Sequence, residues 1–220
     1  MKLAVLISGS GSNLQAFIDA CNAGTLPAEI AVVLSNKPEA GGLARAADAG
    51  IPTRVVDHRQ FESREAFDAA MLEALAPFAP DLVILAGFMR ILTPDFIAAF
   101  RGRLLNIHPS LLPKYPGLKT HQRALDAGDS EGGATVHFVT EELDGGPPVL
   151  FARVPIQADD SAETLAARVQ MREHQLYPQA ARWFLEGRLV LENDRALLDG
   201  AALPAGGADL DSIPKTDSTT

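Results

Sequence analysis

The sequence predicts an α/β fold, a doubly wound, mostly parallel sheet with helices on both faces and an antiparallel C-terminal portion. Three observations predict it. Runs such as residues 3–7 and 82–85 are apolar at every position, as strands buried on both faces are. The segments between such runs place apolar residues at helical spacing. Strand and helix then alternate through the first half of the 220-residue chain, the order that crossover connections require.

The elements follow in turn. Residues 3–7 form the first strand, and the next helix, Ser12–Asn22, carries Leu14, Phe17, Ile18 and Cys21 on one face. Residues 30–34 are the second strand, 42–49 an alanine-rich helix closed by Gly50, and 53–56 the third strand. Ser63 N-caps a helix running towards Phe78, with Phe67, Met71, Leu72 and Leu75 on one side. Residues 82–85 are the most hydrophobic strand and belong at the centre of the sheet. Thr93-Pro94-Asp95 has the N-cap and first-turn proline of a helix ending near Phe100, and 103–107 is the fifth strand.

Beyond Pro109 the pattern changes. Residues 135–139 and 149–156 read as strands joined by a loop rich in glycine and proline, in antiparallel arrangement. Asp160 and Glu163 have capping-box spacing before a long helix with Leu165, Val169, Leu176, Ala180 and Phe184 on its apolar face and a kink at Pro178. Residues 1–203 are expected to form one domain, and 204–220, small, polar and without periodicity, a disordered tail.

Composition narrows the function. The formal charge is −9, which argues against binding a nucleic-acid backbone, because such proteins carry a basic face. A local pocket for a small anion remains compatible with it. The single cysteine, Cys21, excludes an intrachain disulfide and a cysteine-built zinc site, and its helical neighbours mark it as a core thiol. None of the five histidines, His58, His108, His121, His137 and His174, stands in metal-ligand spacing with another, so no metal is expected. No secretory signal is read at the N-terminus and no run approaches the roughly 20 apolar residues of a membrane span, so a cytoplasmic location without membrane contact is expected.

Three segments that follow parallel strands carry unusual chemistry. Ser8-Gly9-Ser10-Gly11-Ser12-Asn13 joins the first strand to the first helix, where unpaired N–H groups and the helix dipole favour an anion. Leu14 stands where the dinucleotide fingerprint needs glycine, no acid follows the second strand to hold a ribose, and no Walker lysine is present. The loop therefore suits one phosphate group, although a tight strand-to-helix turn explains it equally well. Ala86-Gly87-Phe88-Met89-Arg90-Ile91-Leu92 follows the central strand and reads as a pocket wall or as a loop folded onto the core. Asn106-Ile107-His108-Pro109 ends the fifth strand with an amide that can hold a carbonyl oxygen and an imidazole that can move a proton. Asp144, in Leu143-Asp144-Gly145-Gly146-Pro147, offers a carboxylate to the imidazole, and His137 offers a supporting contact behind it. In a doubly wound sheet the carboxyl ends of the strands share one edge, where ligands bind.

These motifs, from Ile7-Ser8-Gly9-Ser10-Gly11-Ser12-Asn13 through Leu85–Leu92 and Leu105–Pro113 to Asp144-Gly145-Gly146-Pro147, resemble the phosphoribosylglycinamide formyltransferase family across residues 1–203. The resemblance implies a formyltransferase-like variant of the Rossmann fold and transfer of a formyl group from 10-formyltetrahydrofolate to glycinamide ribonucleotide in purine biosynthesis. It implies Asn106, His108 and Asp144 as catalytic residues, with Asp144 stabilising the imidazolium of His108. It assigns the substrate's phosphate to Gly11, Ser12 and Asn13, and its ribose or glycinamide part to Gln170 and Glu173. The folate would meet Arg64, Met89, Arg90, Ile91, Leu92, Asn106 and the loop of Thr140, Glu141, Glu142, Leu143 and Asp144. Both partners are small molecules, and a monomer or weak homodimer is expected. Pro148 departs from the family's apolar residue and is expected to stiffen the folate loop.

Other functions use the same parts. A formyltetrahydrofolate deformylase would deliver water through Asn106, His108 and Asp144 and would have little need of a phosphate loop. A methionyl-tRNA formyltransferase is expected to carry a nucleic-acid module and a more basic charge. A non-catalytic sugar-phosphate-binding module would bind ligand without folate turnover.

Overall fold

The computed structural model describes residues 1–215. Its first half alternates β1 (Lys2–Ile7), α1 (Ser12–Asn22), β2 (Glu29–Ser35), α2 (Gly42–Asp48), β3 (Thr53–Val55), α3 (Arg64–Leu75), β4 (Leu82–Leu85), α4 (Pro94–Ala99) and β5 (Leu104–His108). The second half contains α5 (Thr120–Asp126), β6 (Glu131–Phe138), β7 (Pro148–Pro155), α6 (Ala162–Leu185), β8 (Leu189–Glu192), β9 (Arg195–Leu198), β10 (Ala201–Ala202) and β11 (Ala208–Asp209).

Eight strands form one sheet in the order β11-β7-β6-β5-β4-β1-β2-β3, and β8 to β10 form a small antiparallel sheet. Strands β1 to β5 are parallel, and β6 pairs antiparallel with both β5 and β7. The chain turns outward in both directions from β1 and β4, so the switch point of the sheet lies between them. As the apolar run predicts, β4 is interior and all four of its residues are buried.

Alternation along the strands feeds two cores. Leu3, Val5 and Ile7 of β1 pack with Leu14 and Phe17 of α1 and with Leu165, Val169, Leu176 and Tyr177 of α6. Ala4 and Leu6 point the other way, to Phe67, Met71 and Leu75 of α3 and Phe96 of α4. The period-2 pattern in the strands and the helical period in the covering elements meet at these two layers. Cys21 packs against the larger core half-buried, and burial raises its thiol pKa.

Two expectations need correction, the capping box and the tail, and the structure places the two prolines singled out in the sequence. The capping box of α6 is Ser161 with Thr164, one residue later than Asp160 and Glu163. Asp160 instead accepts from Arg168 and from the Thr164 hydroxyl. Residues 162–185 are one helix with Pro178 inside it. Pro148 is the first residue of β7, beside a register shift in the β6–β7 pairing, where a missing N–H is tolerated. The expected disordered tail is ordered as far as it is described: β11 pairs with β7, and Leu210 and Ile213 pack against the core. A polar, aperiodic segment can still dock where a sheet edge and a few apolar anchors await it. Residues 216–220 of that expected tail lie outside the described residues.

Candidate active site

Asn106 and His108 stand two apart on β5, so their side chains leave the same face. Leu105 and Ile107 between and before them enter the α6-side core, which turns the amide and the imidazole to the opposite face. Antiparallel pairing sets Asn106 opposite His137 and His108 opposite Thr135.

His137 is 2% exposed, and burial lowers its pKa, so the ring is neutral. Its Nδ1 lies 2.9 Å from the Phe138 carbonyl, an acceptor, so the proton sits on Nδ1. Nε2 is then a lone pair, and it accepts from Asn106 Nδ2 at 3.2 Å. This bond fixes the amide orientation and uses one of the two Nδ2 hydrogens. The second is free to donate to a ligand.

His108 is 5% exposed and held on both sides. Nε2 donates to the Tyr115 carbonyl at 2.7 Å, and Nδ1 lies 3.5 Å from Asp144 Oδ2. Both ring nitrogens thus face oxygens. Asp144 Oδ2 also accepts the Gly117 N–H at 2.8 Å, and Oδ1 lies 3.9 Å from His137 Nε2. Asp144 has a positive φ of 52°, and the loop 139–147 that carries it joins β6 to β7. The end of β5 and the Asp144 loop are thereby tied to each other.

The loop after β1 meets α6. Gly11 is the N-cap of α1 at φ 76°, and no side chain caps the helix, so first-turn N–H groups remain available. Ser12 Oγ accepts from Gln170 at 2.8 Å, and Asn13 Nδ2 donates to Glu173 at 3.0 Å. Burial raises the Glu173 pKa, which the Asn13 bond partly opposes. Among the described residues, Asn13 Oδ1 is buried without a partner. Four of the residues expected around the substrate's sugar phosphate are thus in direct contact.

The remaining expected residues differ in exposure. Met89 and Ile91 are 61% and 58% exposed, and Leu143 is 55% exposed. Arg90 stands with its guanidinium 5.9 Å from the Phe67 ring, and Phe67 lies three residues after Arg64 on α3. Leu92 is 7% exposed and packs into the α3 and α4 core, so it offers little open surface. Thr140 is half-buried, while Glu141 and Glu142 are exposed. Among the described residues no group of three or more His, Cys, Asp or Glu is arranged to hold a metal ion, and no helix is long and apolar enough to cross a membrane.

Sequence reading missed the Tyr115 carbonyl and the Gly117 N–H, which are backbone groups and leave no mark in residue type. It also missed Arg45, whose Nε donates to the Ser10 carbonyl at 2.7 Å and braces the loop before α1.

Known proteins bear on this arrangement. The family model described as formyl transferase matches residues 1–181. The chain is 54% identical over 207 residues to phosphoribosylglycinamide formyltransferase of Escherichia coli, covering 94% of this chain and 98% of that protein. It is 55% identical over 206 residues to the Haemophilus influenzae protein of the same name, covering 94% and 97%. A solved structure of phosphoribosylglycinamide formyltransferase from Coxiella burnetii superposes with a TM-score of 0.91 at 47% identity, covering 95% of this chain and 98% of that one.

Proposed function

The chain belongs to the formyl transferase family as a phosphoribosylglycinamide formyltransferase of purine biosynthesis, and from that premise we propose how its residues move the formyl group. The donor is 10-formyltetrahydrofolate, and the acceptor is the primary amine of glycinamide ribonucleotide. The amine lone pair attacks the formyl carbon, and the carbonyl oxygen becomes an oxyanion in a tetrahedral intermediate. The bond from carbon to the folate N10 then breaks, and the proton lost by the amine ends on N10.

The observation that carries this reading is the Asn106 amide. Its free Nδ2 hydrogen is aimed by a neutral His137 behind it, and a donor fixed in advance stabilises an oxyanion without reorganising. Protonated His108 adds positive charge at the same oxygen, balanced by Asp144 at 3.5 Å. Proton transfer runs through His108 or a water molecule. The phosphate sits on the first turn of α1 at Gly11, Ser12 and Asn13, with Gln170 and Glu173 reading the ribose or glycinamide. Arg64, residues 89–92 and the loop 140–144 hold the folate. Activity requires no metal, and both partners are small molecules taken up in the cytoplasm by a monomer or weak homodimer.

One assay tests the reading: folate absorbance followed with 10-formyltetrahydrofolate, with and without glycinamide ribonucleotide. Folate release is expected only when the amine is present. Release at the same rate without it would assign water as the acceptor and make the chain a deformylase. His108→Ala is expected to remove nearly all turnover while phosphate-ligand binding stays within about twofold, since the two sites share no side chain.

A further inference from the structure

Two polar contacts, one part-buried and one buried, hold the loop after β4, and the chemistry above uses neither. Ser8, at the end of β1, is 6% exposed, and its Oγ accepts the Met89 N–H at 2.8 Å. Its own proton is committed elsewhere, donated at 2.6 Å to Oδ1 of the fully buried Asn36 after β2. Asn36 is held in turn by His58, whose Nδ1 lies 3.0 Å from the Asn36 main-chain carbonyl and 3.1 Å from Asn36 Nδ2. A hydroxyl has one proton and two lone pairs. The Asn36 carbonyl therefore decides which side of Ser8 is left to accept from Met89. At the other end of the loop, Asp68 of α3, 2% exposed, accepts the Thr93 N–H through Oδ2 at 2.6 Å. Burial keeps water from competing for that N–H, and among the described residues the other carboxyl oxygen, Oδ1, is buried without a partner.

Between the two posts the chain shows its apolar side chains to solvent at Met89 and Ile91. A backbone tied down at both ends with its side chains turned outward is a preformed ligand wall, because little backbone entropy is left to be lost on binding. Ser8 also opens the segment 8–13, so the same residue borders the phosphate loop.

We propose that Ser8 and Asp68 are positioning residues that fix residues 89–92 as a wall of the formyl-folate site, and that Ser8 joins this wall and the phosphate loop into one rigid unit. The inference rests on the reading that residues 89–92 meet the folate. Asp68 acts on the wall alone, whereas Ser8 acts on both substrate sites. A purely structural role would lower thermal stability and the fraction of active enzyme without distinguishing one substrate from the other.

The test is steady-state kinetics on Ser8→Ala, Asp68→Leu and Asp68→Asn, with kcat referred to folded enzyme. Loss of one ordering hydrogen bond is expected to raise the KM for 10-formyltetrahydrofolate about fivefold in Ser8→Ala and Asp68→Leu. The KM for glycinamide ribonucleotide is expected to rise in Ser8→Ala and to stay within about twofold in Asp68→Leu. Asp68→Asn keeps an acceptor for the Thr93 N–H and is expected to restore most of the folate KM. Should Asp68→Leu fail to fold, the smaller Asp68→Ala takes its place, with the same expected split between the two KM values. A folate KM that does not move in Ser8→Ala, with the wild type active, overturns the inference and leaves the function standing. A wild type without amine-dependent transfer overturns the function and the inference with it.

Discussion

His137 shows how one buried side chain can set the work of its neighbour. Its Nδ1 proton is spoken for by the Phe138 carbonyl, so Nε2 has only a lone pair to offer Asn106. The folded pKa lies below the reference of 6.5, because burial disfavours the cation. Between those two values the unfolded chain binds more protons than the folded one, so stability rises with pH there. The contribution is present above about 6.5 and is lost as pH falls towards the folded value. Thermal melts between about pH 5 and 8 should show the wild type losing stability on the acid side, and His137→Gln, which cannot titrate, losing less. An identical acid slope in both proteins would remove His137 as the cause. Residue type alone pointed to Asn106, His108 and Asp144, because an amide, an imidazole and a carboxylate announce their chemistry. The Asn106 orientation was not legible, since it depends on a cross-strand register and on a tautomer.

Among the elements, α1 and its loop were readable to the residue, and α5 and the C-terminal hairpins were not. Helix α1 has four apolar residues at helical spacing and a glycine before it. Helix α5 has seven residues, two of them buried, and follows an uncapped Lys119, so neither periodicity nor a cap announces it. The hairpins did carry a signal. Asn193-Asp194 joins β8 to β9 and Asp199-Gly200 joins β9 to β10, all four with positive φ, as two-residue hairpin turns require. Gly11 is the element-scale test. Its φ of 76° disfavours any side chain, and an added Cβ would lie 2.7 Å from the Gly42 Cα, a backbone atom that cannot swing away. Gly11→Ala should destabilise the fold by about 1–3 kcal/mol and raise the KM for glycinamide ribonucleotide more than that for the folate. Denaturant melts and paired KM measurements check both halves, and a wild-type KM for the ribonucleotide would separate this loop from the phosphate.

At the scale of the molecule, the C-terminal segment closes the sheet. Strand β11 covers the edge of β7, and Arg153–Asp209 and Arg172–Asp211 ion pairs join it to β7 and α6. An uncovered edge strand is a template for pairing with another chain. A chain ending at Leu203 should lose about 1–3 kcal/mol from the packing of Leu210 and Ile213, which are only partly buried. It should also self-associate in light scattering at concentrations where the full chain does not. Equal melting temperature and equal mass would show that the strap is dispensable.

The sequence by itself determined the parallel sheet, its central strand and the three segments after strands that stand out chemically, because those follow from periodicity and residue type, which are local. Tertiary structure alone decided that the β1 and β4 loops meet at the switch point and that Gln170 and Glu173 reach Ser12 and Asn13 across more than 150 positions. It also decided that a polar tail becomes an edge strand. Those outcomes depend on which surfaces lie adjacent after the sheet has formed, and adjacency at long range leaves no period in the chain.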